Sequence, residues 1–150
     1  MRLGPLTRPD LIFPDLPATD CSGLLRAFAD RVAAAGLVRD AEELWSRLLE
    51  REKLGSTGIG RGVAIPHCKL AGLGSGIVAI GLAHGGVDFG APDGAPVSVF
   101  FLVISPPEAP AEHLQTLATI SRWIRADRHT EALRDLEAPQ AIWDFLQESG

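Results

Sequence analysis

Between residues 51 and 67 the chain reads Arg51-Glu-Lys-Leu-Gly55-Ser56-Thr57-Gly58-Ile-Gly60-Arg61-Gly62-Val-Ala-Ile-Pro66-His67. A glycine-rich turn lets backbone N–H groups approach an anion closely. Gly58 and Gly60 would supply that freedom, and Ser56 and Thr57 would add hydroxyl donors. His67 closes the run. An imidazole with an ordinary pKa of ~6.5 is largely neutral near pH 7, so it can attack phosphorus and hold the phosphoryl group as phosphohistidine. Such a transfer asks for positive charge and oriented donors around the phosphoryl oxygens. Arg51 offers a planar fork of donors. His113, on the inward face at the opening of a later helix, offers a second imidazole. The same residues have a plainer reading, as a tight turn with no ligand and histidines in structural roles, the role expected for His84 and His129.

Other chemistries fit less well. The run is not a Walker loop, since no Gly-Lys-Ser/Thr follows, and no Gly-x-Gly-x-x-Gly heads a helix. His67, Cys68, His84 and His113 show neither His-x-x-x-His nor Cys-x-x-Cys spacing, so no metal site or other cofactor is expected. A Gly-x-Ser-x-Gly elbow is absent, which leaves Ser56 without grounds as a nucleophile. Cys21 and Cys68 do not make a disulfide framework. The N-terminal residues contain no apolar signal segment, and no apolar run approaches the ~18 residues of a membrane span. A cytoplasmic protein with reduced thiols and no direct membrane insertion is expected.

The 150 residues are 46% hydrophobic and 22% charged, the balance of an ordinary globular domain with one core. Fourteen basic and 19 acidic residues give a net charge of −5, which disfavours a general nucleic-acid binder. The charge is uneven: residues 1–75 carry a net +1 and residues 76–150 a net −6. Within Arg51–Lys69, four cations (Arg51, Lys53, Arg61, Lys69) face Glu52 alone. That local excess suits an anion or an acidic partner, although a solvated loop would show it too.

The elements that must position these groups follow from periodicity. Leu11-Ile12-Phe13 reads as a short strand ended by Pro14. Asp20 is placed to cap a helix in which Leu24, Leu25, Phe28 and Val32 recur at helical spacing until Gly36. Asp40 with Glu43 resembles a capping box, and the helix behind it is expected to bury Leu44, Trp45, Leu48 and Leu49. Four glycines from Gly55 to Gly62 exclude a stable helix there. Val63-Ala64-Ile65 is β-prone, and Pro66 marks an edge or a strand end.

Ile77–Ala83 and Pro96–Ile104 are longer strands, with Asp93-Gly94 turning the chain between them. The second is apolar almost throughout and belongs in the centre of a covered sheet. Pro110 opens a long helix with His113, Leu117, Ile120 and Ile124 on one face. Shorter helices are expected near Thr130–Leu136 and Pro139–Gln147. The whole chain, 1–150, reads as a single α/β domain, a mixed β-sheet covered by helices on both faces.

Glu50-Arg51-Glu52-Lys53-Leu54-Gly55-Ser56-Thr57-Gly58-Ile59-Gly60, with Val63-Ala64-Ile65-Pro66-His67 behind it, resembles the active-site signature of phosphotransferase-system enzyme IIA domains of the fructose/mannitol type (EIIA type-2). Val87-Asp88-Phe89, Asp93-Gly94, Pro96-Val97 and Glu112-His113-Leu114 match in order and spacing, so the resemblance covers about residues 10–148. It implies that His67 accepts a phosphoryl group on a ring nitrogen from a histidine phosphocarrier of the HPr kind. Arg51 would bind phosphoryl oxygens, and His113 would donate to them or orient His67. Ser56, Thr57, Gly58 and Gly60 would shape the phosphate-binding wall. The excess of positive charge would balance a group carrying nearly two negative charges. One residue departs from the pattern: Cys68 stands where family members commonly have Gly.

The resemblance implies two branches. Sugar-uptake IIA domains pass phosphate to a IIB domain, whereas nitrogen-regulatory IIA proteins bind regulated partner proteins according to phosphorylation state. No IIB or IIC segment occurs in this sequence, and the Leu54–Gly60, Ile65–His67 and Lys69-Leu70 residues look more like the regulatory branch. The alternatives are a stand-alone sugar IIA subunit and a non-catalytic binding module of the same fold.

Overall fold

A computed structural model of the chain describes residues 2–126 and 128–149. Two short 3-10 turns, Gly4–Leu6 and Pro9–Leu11, lead into strand β1 (Ile12–Phe13), so Leu11 ends a turn rather than opening the strand. Helix α1 (Cys21–Ala34) starts where the Asp20 carboxylate accepts the Gly23 N–H, and it ends before Gly36, whose φ of +84° suits glycine. Helix α2 (Ala41–Lys53) is capped by Asp40, which accepts from the N–H groups of Glu42 and Glu43. Leu44 and Leu48 are fully buried on α2, while Trp45 and Leu49 are only half-buried at its flank.

The glycine-rich segment forms a hairpin of β2 (Gly58–Gly60) and β3 (Val63–Ala64), and β4 (His67–Lys69) follows at once. None of the strand character at Gly58–Gly60 or His67–Lys69 is visible in periodicity, because three-residue strands are too short to show it. The long strands are β5 (Ile77–Val87) and β6 (Val97–Ser105). Helices α3 (Pro110–Arg125), α4 (His129–Arg134) and α5 (Pro139–Glu148) complete the chain.

The strand order is β1-β5-β6-β3-β2, with β4 also paired to β6. β5 and β6 are antiparallel, whereas β1 runs parallel to β5, and β3 and β4 run parallel to β6, so the sheet is mixed. Side chains alternate across β6. Phe100, Leu102 and Ile104 pack with α1 and α2, while Val99, Phe101 and Val103 pack with α3, α4 and α5. Phe100 meets Phe28 and Phe89 edge-on at 6.4 and 5.3 Å; Phe101 meets Trp123 at 5.9 Å. Covered on both faces, β6 has no solvent side to carry polar residues, which is why its sequence is a continuous apolar run.

β3 and β4 share one track along β6, interrupted at Ile65-Pro66. Proline has no N–H to offer a ladder. Its carbonyl accepts from Val103 N instead, while Ile65 N turns back to Thr57 O. The break leaves the Ile65 carbonyl for His67, the residue that opens β4.

Candidate active site

His67 lies at the end of the sheet where β6 finishes, paired with Val103. Its Nδ1 is 2.8 Å from Ile65 O. A carbonyl can only accept, so Nδ1 carries the proton and donates, which leaves the lone pair on Nε2. Arg51 Nε donates to that Nε2 across 3.2 Å. Arg51 reaches it from the last turn of α2 and is steadied by Nη1 donating to Gly55 O at 2.8 Å. Burial, reinforced by the Arg51 charge, lowers the pKa of His67 against the opposing bond to Ile65. Both effects favour the neutral imidazole, with the Nε2 lone pair facing the cleft side held by Arg51.

His113 is buried on the first turn of α3, its ring centroid 5.5 Å from that of His67. Its Nδ1 is 2.6 Å from the Ser105 hydroxyl at the end of β6. Burial, with the charges of His67 and Lys69 adding to it, lowers the pKa of His113 as well. Both imidazoles border a cleft of ≈ 460 Å³, with Arg47, Arg51 and Lys69 supplying positive charge against Glu50, and Leu54, Leu114 and Leu117 forming an apolar rim. Leu54 is 84% exposed and Leu114 67%, leaving an apolar surface around His67.

The structure brings Arg51, His67 and His113 together, and it places the loop residues elsewhere. Ser56, Thr57, Gly58 and Gly60 do not line the cleft. Ser56 Oγ donates to Phe89 O and accepts from Gly58 N, both at 3.0 Å. Thr57 is buried, and its N–H and hydroxyl both donate to the Glu52 carboxylate. Burial raises the pKa of Glu52, with the Thr57 bonds opposing. Thr57 thus ties the loop to α2, the helix that carries Arg51, while Ser56 ties it to the segment after β5.

Cys68 has φ in the ordinary negative range, so its position does not demand glycine. Burial pushes its thiol up to about 12, with Arg47 partly opposing, and it packs in the α1/α2 core as a neutral side chain. His129 stacks on Trp123 with ring centroids 4.6 Å apart, and His84 is exposed on β5. Sequence reading missed Ser105 and the Ile65 carbonyl. Ser105 carried a signal, as the one polar residue closing an apolar strand before Pro106; the carbonyl carried none. Among the described residues, no group of three His, Cys, Asp or Glu is placed to hold a metal ion, and no helix is long and apolar enough to cross a membrane.

The fold is a mixed α/β sheet that presents an imidazole, a guanidinium and a second imidazole at one open cleft. Residues 5–149 match the family described as phosphoenolpyruvate-dependent sugar phosphotransferase system, EIIA 2, and the chain belongs to that family. A nitrogen regulatory protein of Pseudomonas aeruginosa is 35% identical over 146 residues, covering 97% of this chain and 95% of the relative. A fructose-specific EIIA component of the phosphotransferase system from Haloferax volcanii is 32% identical, covering 95% of this chain and 93% of its own. The crystal structure of the nitrogen regulatory protein IIA-Ntr from Neisseria meningitidis superposes with a TM-score of 0.86 at 29% identity, covering 96% of this chain and 98% of that one. The chain is therefore a phosphotransferase-system component.

Proposed function

We propose that the protein is a phosphohistidine carrier whose Nε2 of His67 accepts a phosphoryl group from an HPr-type histidine phosphocarrier. The carrying observation is the pair of bonds on His67: Nδ1–H to Ile65 O, and Nε2 facing Arg51. In the transfer, Nε2 forms the bond to phosphorus as the donor's N–P bond breaks, and the donor nitrogen keeps the electron pair. Nδ1 retains its proton, so the phosphorylated ring is positive and the Ile65 carbonyl stabilises it. The Arg51 N–H gives up the Nε2 lone pair and turns to the phosphoryl oxygens, where a charge-assisted fork is strongest. His113, with Nδ1 accepting from Ser105, presents Nε2–H to the same oxygens. The exposed Leu54 and Leu114 provide the apolar contact on which a phosphocarrier or a IIB domain docks.

Onward use follows the regulatory branch: phosphorylation at His67 adds nearly two negative charges at an apolar docking surface and changes which proteins bind there. The full-length match to a nitrogen regulatory protein supports this reading. A sugar-uptake role as a stand-alone IIA subunit is the second reading, favoured by the match to a fructose-specific EIIA component. The test is incubation with phosphoenolpyruvate, enzyme I and a histidine phosphocarrier, followed by mass spectrometry. An acid-labile phosphate on His67 is expected; no labelling would favour a binding module without phosphoryl transfer.

A further inference from the structure

A second cavity, of ≈ 630 Å³, lies at the opposite end of β6 from His67, where the β2–β3 hairpin, the start of β6 and helix α4 meet. Arg61, Arg128 and Arg134 line it together with His84 and Thr130, and among the described residues Glu131 is its one acidic residue. The setting makes this composition unusual. Residues 76–150 carry a net charge of −6, yet all four of their basic residues fall between Arg122 and Arg134. Arg128 pairs with Glu131 at 3.5 Å, which among the described residues leaves Arg61 and Arg134 at the wall without an ion pair.

Two buried polar atoms at this wall have no hydrogen-bond partner among the described residues: Arg134 Nε and the Thr130 hydroxyl, the latter on a residue only 7% exposed. Leaving such groups unsatisfied is costly, so an acceptor that reached them at this wall would relieve both. The guanidinium is already oriented, because Arg134 Nη2 donates to Arg61 O at 2.6 Å. Close packing keeps it there: a Cβ on Gly62 would sit 2.8 Å from that same nitrogen.

The hairpin adds an independent observation. Arg61 and Gly62 are the two residues between β2 and β3, with φ of +59° and +77°, the pattern of a type I′ turn. Asn-Gly or Asp-Gly suits such a turn. An arginine held at positive φ is strained, and Asp93 is recruited to hold it, accepting Arg61 N–H at 3.1 Å. The strained position delivers a long cation to the cavity wall.

We infer that this cavity binds a small phosphate ester, with the phosphate held by Arg134 Nε–H, Arg61 and the Thr130 hydroxyl. A phosphate dianion offers three acceptor oxygens to those donors, where a carboxylate offers two. The volume accommodates the esterified group as well as the phosphate. This site is separate from the His67 cleft and does not depend on the reading of that cleft.

The test is titration calorimetry on the full chain with inorganic phosphate, ribose 5-phosphate and succinate, repeated on Arg134→Gln, Thr130→Val and Arg51→Ala. Ribose 5-phosphate should bind at least about tenfold more tightly than succinate. Arg134→Gln should weaken it about tenfold or more, the effect of removing a charged hydrogen-bond partner. Thr130→Val should weaken binding while leaving the melting temperature equal or higher, since it deletes an unsatisfied hydroxyl. Arg51→Ala should leave the affinity unchanged. Failure of both phosphates to bind would overturn the site, and binding of inorganic phosphate alone would overturn the ester. Equal binding of succinate would overturn the preference for phosphate. Loss of binding in Arg51→Ala with retention in Arg134→Gln would move the phosphate to the His67 cleft and also overturn the inference.

Discussion

The two ends of strand β6 gather positive charge in different ways. His67 pairs with Val103 near one end, and Gly62 O bonds Ser98 and Val99 near the other, five residues or roughly 17 Å away. At the His67 end, one guanidinium faces an imidazole nitrogen, a second imidazole stands behind, and exposed leucines surround the opening. At the far end, three guanidiniums line a recess with Thr130 and an exposed His84, and no described imidazole there is paired to a guanidinium as His67 is to Arg51. Positive charge alone would hold a phosphoryl group without moving it. Transfer of the kind proposed above needs an atom to receive phosphorus and a surface to receive the donor protein, and both are there assigned to the His67 end. Backbone makes the difference, since the Ile65-Pro66 break frees the carbonyl that fixes the imidazole tautomer.

The sharpest break of that contrast is His67→Ala. Phosphorylation from the upstream carriers should be abolished, while the melting temperature changes little, because His67 lies at the cleft wall and outside both apolar clusters. Retained labelling in this variant would remove the nucleophile from the account. Arg51→Ala should come next, raising the transfer barrier by about 2–4 kcal/mol, or roughly 30-fold to 1,000-fold in rate. Single-turnover transfer from a phosphorylated carrier would measure it. A rate within threefold of the parent would mean that the guanidinium does not reach the phosphoryl oxygens.

A pH series probes the electrostatics. Burial lowers the pKa values of His67 and His113, so the unfolded chain takes up protons first as the pH falls. The stability these neutral imidazoles contribute is complete above about pH 6.5 and is lost as the pH drops from there through their folded-state values. Denaturant titrations from pH 7.5 to 5 should show that decline, and His67→Asn with His113→Asn should flatten it. An equal decline in the double variant would place the sensitive groups elsewhere. The smallest effect is expected at Cys68→Gly, which restores the residue common in the family. It should leave His67 labelling intact and lower stability by about 1 kcal/mol, from lost burial and added chain freedom in β4. A large loss of labelling would give the thiol a role that its buried, neutral state does not suggest.

Most of the architecture was legible in sequence because long amphipathic helices and an apolar strand announce themselves. Asp20 and Asp40 do cap α1 and α2, and β6 is central and covered. What escaped was short or made by backbone. β4 spans three residues, and its polar opening residue belongs to the cleft rather than to either core. Trp123 dominates the α3 face, although the helical spacing drawn through His113, Leu117, Ile120 and Ile124 passed it by. The glycine loop was readable as a special backbone, but composition could not tell a phosphate cradle from a brace. Only coordinates show Ser56 and Thr57 bonded to Phe89 O and Glu52.

Nitrogen assignment at His67 tests the central claim most directly. Imidazole 15N and 31P NMR of the phosphorylated chain should show phosphorus bonded to Nε2 and a proton retained on Nδ1, hydrogen-bonded as in the free protein. Phosphorus on Nδ1 would require the Ile65 bond to break and would contradict the account.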